Sequence, residues 1–251
     1  MYFVDNFLPS PGIIGDMELL VLTFNLQNNR GFPKLLSLLD AYAPDVVALQ
    51  EVVMSEDVLK ALKKEGYDIA GYEKAFRRFS GTFSVATFYR IGSIKSVSQS
   101  TISLQRGIIE VIDRFIWGVG KRVVLVTTFK AGKETFNILN VHMYPYSATH
   151  VRSKQFEKAL QQARNVQLPT VILGDFNYAY NRSSMETLMQ KYDFQEATTH
   201  IFHTFFKNAL KFLPIKFKLD YIFYRDITHV ETKRVDTFMT DHTPLLAHFR
   251  L

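Results

Sequence analysis

Short apolar runs of strand length recur from one end of the chain to the other, and they constrain its fold more than any other feature. Leu19–Phe24, Val46–Leu49, Phe83–Tyr89, Val123–Phe129, Phe136–Val141, Val171–Leu173, Leu219–Tyr224 and Leu245–Phe249 are rich in β-branched or aromatic residues, and most are bounded by polar or turn residues. Lys130-Ala131-Gly132-Lys133-Glu134, between two of these runs, reads as a hairpin turn. Helical periodicity is confined to fewer places. Leu35, Leu36, Leu38, Leu39 and Tyr42 share a face behind Pro33, and Val58, Leu59 and Leu62 follow Ser55, a natural N-cap. Val151, Phe156, Leu160 and Ala163 lie on a third amphipathic segment that ends before Pro169, and Leu188 and Met189 mark a shorter one. Many strands with few helices predict an α+β protein in which sheets pack face to face under outer helices.

A weak internal echo sharpens this expectation. A strand ending in Asn25 is followed by a helix and then a strand ending in Gln50-Glu51; later, a strand ending in Asn140-Val141-His142 is followed by a helix and a strand ending in Gly174-Asp175-Phe176-Asn177. Ligand sites gather at the carboxyl ends of such strands, so two packed sheets would bring both polar sets into one cleft.

No Gly/Ser/Pro-rich linker divides the chain, which predicts a single domain over 1–251 with 1–17 as an N-terminal extension. The hydrophobic share of 47% is ample for a core, and the absence of cysteine excludes a disulfide framework, thiolate metal sites and a cysteine nucleophile. The N-terminal residues lack the basic and apolar regions of a signal peptide, and no apolar run approaches the roughly 20 residues that cross a bilayer. A soluble protein without a transmembrane segment is expected, with a cytoplasmic location and a monomeric state favoured. The net charge of +6 suits polyanionic partners, nucleic acid or an acidic membrane surface, although ordinary soluble proteins carry as much.

Glu51, Asp175, Asp220 and Asp241 each adjoin an apolar strand, where a carboxylate is costly to desolvate unless it is paired or binds a metal. Together with two histidines and two asparagines they suit phosphoryl chemistry assisted by a hard cation. LTFN (Leu22–Asn25), PDVVALQEV (Pro44–Val52), NVHMY (Asn140–Tyr144), VILGDFN (Val171–Asn177), LDYIF (Leu219–Phe223) and TDHTP (Thr240–Pro244) resemble, in order and spacing, segments of the endonuclease/exonuclease/phosphatase superfamily of magnesium-dependent phosphoesterases.

The resemblance implies a four-layered α/β/β/α sandwich, two mixed β-sheets packed face to face and covered by helices. It also implies Mg²⁺ as cofactor, with Mn²⁺ as a substitute. Glu51 matches the principal metal-binding residue, with Asn25 and Asp241 beside the metal. Asp175 and Asn177 match residues that position the attacking water and contact the scissile phosphate. His242 would activate water or stabilise the pentacoordinate phosphorus, and Asp220 would fix its tautomer. His142 would donate to the phosphate or the leaving oxygen. The remaining histidines (His150, His200, His203, His229 and His248) lack motif support and read as structural or surface residues.

Departures from the pattern are modest. Thr240 replaces the usual serine, and Lys218 stands nearest to a position often held by arginine, so a phosphate contact there would be a point charge. His142 argues against the abasic-endonuclease branch. Arg152 and Gln155 resemble an Arg-x-x-Gln pattern of the histidine-bearing branches; Arg152 would reach a substrate phosphate, or else lie on a solvated helix face.

Two segments bear on the substrate. His200–Lys218 interleaves phenylalanines with lysines, which suits stacked bases or an anionic membrane surface. The plainer expectation, which is favoured, turns the phenylalanines to the core and the lysines to water. Gly107–Gly120, with Trp117, forms either a core-packing amphipathic helix or a lip over the substrate. The leading reading is a metal-dependent phosphodiesterase acting on nucleic acid, deoxyribonuclease-like or tyrosyl-DNA phosphodiesterase-like. A phospholipid (sphingomyelinase-like) or inositol-phosphate hydrolase is the alternative, and a non-catalytic binding protein of the same fold is the third.

Overall fold

The computed structural model describes residues 17–78, 81–104, 122–145, 149–164, 167–180, 182–209, 213–237 and 239–251. Gly107–Gly120, with Trp117, lies outside the described residues, as do Lys211 and Phe212. In the first half, β1 (Glu18–Asn25), α1 (Phe32–Tyr42), β2 (Val46–Val52), α2 (Glu56–Lys64), β3 (Tyr67–Arg78), β4 (Gly81–Arg90) and β5 (Lys95–Ser103) follow in order. Then come β6 (Val123–Ala131), β7 (Glu134–His142), α3 (Thr149–Arg164), β8 (Thr170–Asp175) and α4 (Arg182–Lys191). The remainder is β9 (Gln195–Glu196), β10 (Phe205–Ala209), β11 (Leu213–Phe217), β12 (Asp220–Arg225), β13 (Thr228–Arg234) and β14 (Leu245–Arg250).

Among the described residues these strands form two mixed six-stranded sheets, in the orders β13-β14-β1-β2-β4-β3 and β5-β6-β7-β8-β12-β9, plus the β10-β11 hairpin. The internal echo is real at the level of pairing. In each sheet one parallel pair, β1 with β2 or β7 with β8, sits at the centre, and antiparallel strands flank it on both sides. α1 crosses over between the first parallel pair and α3 between the second, as parallel strands require.

Period-two alternation sorts each central strand into two faces. Leu19 and Val21 of β1, Val46 and Ala48 of β2, Phe136 and Ile138 of β7, and Val171 and Leu173 of β8 meet between the sheets. The opposite faces receive the helices. Leu22, Phe24, Val47 and Leu49 pack on Leu35, Leu38 and Leu39 of α1 and on Val58 and Leu62 of α2. Leu139, Val141 and Ile172 pack on Phe156 and Leu160 of α3 and on Met185 and Met189 of α4. The result is the expected α/β/β/α sandwich. Pro33 occupies the first turn of α1, and the Ser55 hydroxyl accepts the Val58 N–H at 3.3 Å to start α2.

The same alternation carries the inner faces from apolar to polar. One step beyond the apolar contacts, a buried layer joins the sheets: the Gln50 amide donates to Asn140 Oδ1 at 2.8 Å, and the Asn140 amide donates to the carbonyls of Leu49 at 3.1 Å and Ala86 at 3.0 Å. One further step along β1, β7 and β8 stand Asn25, His142 and Asp175, and Asp220 opens β12 directly opposite Asp175. Polar residues therefore collect at one edge of the sheet interface, above a dry core.

Candidate active site

Asp175 stands at the centre of this edge. Its Oδ1 accepts the Asn177 backbone N–H at 2.9 Å and its Oδ2 accepts the Asn25 amide at 3.0 Å. The same Oδ2 lies 3.6 Å from His142 Nε2 and 3.7 Å from His242 Nε2. Glu51 Oε1 is 3.8 Å from His142 Nε2. Asp220 Oδ2 meets His242 Nδ1 at 2.9 Å, so the ring's other nitrogen, Nε2, is the one turned to Asp175. Asn25, Glu51, His142, Asp175, Asn177, Asp220 and His242 are thus brought together. Asp241 adjoins them: its charge helps hold His242 protonated, and its backbone N–H donates to Gln27 Oε1 at 3.4 Å.

Local structure explains how each side chain is aimed. Asn177 adopts a left-handed backbone (φ 52), which asparagine tolerates better than most residues, and its amide donates to the Met143 carbonyl at 2.9 Å. Phe176, between the two polar residues of the turn, is fully buried among Phe156, Tyr221 and Phe223 in edge-to-face contacts and anchors it from below. Thr204 Oγ1 accepts the N–H groups of Leu219 (3.0 Å) and Asp220 (2.9 Å), fixing the start of β12.

The electrostatics are those of crowded carboxylates. Burial pushes the Asp175 carboxyl up, to about 7; His242 and the Asn177 N–H oppose the rise, while Asp220 and Glu51 add to it. Burial alone would lower His242, but Asp220 and Asp175 outweigh it and raise the imidazole from 6.5 to about 10. Because the folded value lies above the unfolded one, this contribution to stability is complete below about 6.5 and is lost as pH rises through about 10. In metal-free protein the His242 ring signal, followed by NMR, is expected to titrate far above the ordinary histidine range. Asp220→Asn should bring it down; a signal in the variant that titrates where the wild-type signal does would contradict the pairing.

The donor set fits a hard divalent cation. Glu51 and Asp241 offer carboxylate oxygens that are not sealed from solvent, and Asn25 offers an amide oxygen. Asp175, Asp220 and His242 also place potential ligand atoms within 4.8 Å of one another. Within that group Asp220 Oδ2 and His242 Nδ1 are engaged with each other, and His242 Nε2 and the Asp175 carboxylate face one another.

Several expectations need correction. The described phenylalanines of the 200–218 segment are not buried in the core. Phe202 is 88% exposed and Phe206 42%, while Phe205 and Phe217, paired across the β10-β11 hairpin, are half-buried. Among the described residues no helix covers this hairpin. Phe205 packs edge-on to the His242 ring at 5.2 Å, and Tyr180 meets Phe217 at 5.5 Å, so the segment forms an aromatic wall of the cleft. Lys207 and Lys216 do face water, but Lys218 is only 7% exposed and is bound by Glu196 Oε1 at 2.5 Å and the Thr198 carbonyl, which removes it as a phosphate contact.

Arg152 is not on a solvated face either. It is 5% exposed, donates to the carbonyls of Tyr144 (3.3 Å) and Pro145 (3.0 Å), and lies over the Tyr178 ring. It braces the turn after His142. Among the unmotivated histidines, His200 and His229 bond to Thr232, His203 to Arg234 and His248 to Glu18, consistent with structural roles.

The sequence alone assigns no role to Thr204 or Asn29, and it marks Asn140 only as a strand-end polar residue and Phe205 only as part of the Phe/Lys segment. For Asn140 a signal exists, a polar residue on the inward phase of an apolar strand. Thr204 and Asn29 sit in loops and act through backbone contacts that no periodicity reports.

A two-sheet sandwich whose facing edges converge on paired carboxylates and histidines defines a class of hydrolase-like sites. The model of the endonuclease/exonuclease/phosphatase family matches residues 22–242, and the chain belongs to that family. A UPF0294 protein of Vibrio campbellii is 24% identical over 247 residues, covering 94% of this chain and 79% of its own. A UPF0294 protein of Yersinia pseudotuberculosis is 29% identical over 117 residues, covering 45% of this chain; the match spans 42% of that relative's length. Among solved structures, the human Nocturnin catalytic domain with bound sulfate superposes with a TM-score of 0.73 at 18% identity, over 92% of this chain and 93% of that one. ANGEL2, described as a 2′,3′-cyclic phosphatase, gives 0.73 at 16% identity over 95% and 96%. No helix among the described residues is long and apolar enough to cross a membrane.

Proposed function

We propose that this protein is a Mg²⁺-dependent phosphodiesterase that hydrolyses phosphate esters by in-line attack of an activated water, with nucleic acid as the favoured substrate. The observation that carries the reading is Asp175, buried between two imidazoles and joined to both halves of the sandwich through Asn25 and Asn177. On this reading the chain works as one domain, since its last strand pairs with its first.

Glu51 with Asn25 and Asp241 would hold the cation, which supplies positive charge to the phosphoryl oxygens when bound. Asp175 orients the attacking water and takes up its proton, with His242 beside it. Asp220 keeps His242 in one tautomer by holding Nδ1. Asn177 and His142 donate to the phosphate, and His142 also faces the leaving oxygen. Arg152 acts behind them by bracing the turn that carries His142.

Nucleic acid is favoured by the aromatic wall of Tyr180, Phe217 and Phe205, by the exposed Lys207 and Lys216, and by the net charge of +6. Exposed Phe202, Phe206 and Met239 support a second reading, hydrolysis of a phospholipid at a membrane surface. A panel of single- and double-stranded DNA, RNA, 5′-tyrosyl DNA, sphingomyelin and inositol phosphates, with Asp175→Ala as blank, separates them. Inactivity of the wild type on the whole panel with Mg²⁺ or Mn²⁺ would leave a non-catalytic binding protein.

The hairpin gives a sharper test. Phe217→Ala combined with Lys207→Ala, both on the face of the hairpin that carries Phe205, should raise KM for an oligonucleotide by about tenfold, since one lost stacking contact is worth about 1–3 kcal/mol. Hydrolysis of a small ester such as bis(p-nitrophenyl) phosphate should be unaffected. If the pair of changes spares oligonucleotide turnover while Phe206→Ala, on the opposite face, abolishes vesicle binding, the lipid reading prevails.

A further inference from the structure

We propose that Asn29 is a positioning residue that holds Glu51 in the cleft and thereby sets the affinity of the site for its divalent cation. The inference rests on the reading above that Glu51 binds the cation. It starts from a register shift. On β2 and β4, Leu49 lies opposite Ala86 and Val52 opposite Ser84, so β2 advances by three residues while β4 advances by two. One residue is extra, and the strand bulges at Gln50-Glu51. Glu51 has φ 52, a left-handed conformation that costs a glutamate about 1 kcal/mol or more.

The bulge is what makes Glu51 useful. Gln50 faces the sheet interface, where it bonds to Asn140. By strict alternation the next residue would turn to the α1 and α2 side, into an apolar layer. Instead Glu51 Oε1 comes within 3.8 Å of His142 Nε2, on the interface side. A bulge that re-aims a side chain persists only where its surroundings over-determine it.

Those surroundings are the loop after β1. The Leu26 N–H donates to the Gln50 carbonyl at 2.9 Å, and the Asn28 N–H to the Glu51 carbonyl at 3.2 Å. Asn29 then does what a neighbouring strand would do: its amide nitrogen donates to the Val53 carbonyl at 2.8 Å and its oxygen accepts the Val53 N–H at 2.9 Å. Both polar groups of the residue two beyond Glu51 are thereby fixed by one side chain. Gln27, Asn28 and Asn29 all have left-handed φ values of 45 to 62, which presents the asparagine amide to Val53. The same loop reaches Asp241 through Gln27, so it ties together the three proposed ligand positions, Asn25, Glu51 and Asp241.

Asn29→Gly is the informative variant, because glycine accepts φ 62 without strain and only the amide is removed. Mn²⁺ binding to the full-length, substrate-free protein is measured by calorimetry or by EPR of the free ion. The expected result is a dissociation constant raised about 10- to 100-fold, the range typical of lost support behind metal ligands, with a melting temperature near that of the wild type. Activity should recover as Mn²⁺ is raised. Asn29→Asp, which keeps the acceptor and loses the donor, should fall between. Unchanged Mn²⁺ affinity in Asn29→Gly, while Glu51→Gln loses binding, overturns the proposal and spares the metal reading. Unchanged affinity in Glu51→Gln overturns both.

Discussion

Asp175→Asn is expected to lower turnover by about a thousandfold or more on whatever phosphodiester the wild type hydrolyses, while the protein still folds. Two physical facts separate the catalytic loss from a folding loss. The carboxylate is buried and its charged form is disfavoured there, with the pKa raised to about 7, so a neutral amide of the same shape relieves an electrostatic cost. Phe176 in its aromatic cage and the Asn177 amide on the Met143 carbonyl hold the turn without the carboxylate, although an amide can accept only one of the two hydrogen bonds that Asp175 takes from Asn25 and the Asn177 N–H. His242→Ala should reduce turnover comparably, because Asp175 and the Asp220–His242 pair act on one proton. For the same reason the double variant should be little worse than either single one, far from the product of their effects. Kinetics with matched thermal melts read this directly. Retained turnover in either single variant, or multiplicative losses in the double, would remove Asp175 and His242 from the reacting centre.

The sequence disclosed the parts of this molecule that obey a period and concealed those that do not. The central strands of both sheets were legible because each buries both faces, leaving dense apolar runs such as Val46–Leu49 and Val171–Leu173. β5 and β13 were not, because an edge strand meets a neighbour on one side only; Lys95–Ser103 and Thr228–Arg234 are largely polar and exposed. The candidate site was legible where a polar residue adjoins an apolar run, at its end for Asn25 and Asp175 and at its start for Asp220. The Glu51 bulge was not, since the hydrogen bonds around it come from Leu26, Asn28 and Asn29, loop residues with no pattern around them. The Phe/Lys hairpin was misjudged for a related reason. Composition reports how much apolar surface a segment carries, but only topology reports whether anything is available to cover it.

Gly174 combines both kinds of information and supports the second large prediction. It precedes Asp175 on β8 and lies opposite Val141 on β7, in the register that sets His142 opposite Asp175. Its φ of +131 is one that L-residues rarely adopt, and a Cβ there would stand 2.1 Å from the Val141 carbonyl oxygen and 3.1 Å from the Gln50 amide nitrogen. Neither neighbour is free to move, because the first is backbone in a central parallel pair and the second belongs to the polar layer joining the sheets. Gly174→Ala must therefore prise β7 from β8 beside His142 and Asp175, the two proposed catalytic residues. A loss of about 3 kcal/mol or more is expected from combined backbone strain and overlap. Activity should fall by at least about a hundredfold in whatever fraction remains folded, as misplacement by about an ångström suffices for that. Denaturant unfolding alongside kinetics at low temperature separates the two effects. An alanine variant that melts and turns over like the wild type would mean that β7 and β8 do not approach as closely as the register requires, and with that the pairing of His142 with Asp175 would fall.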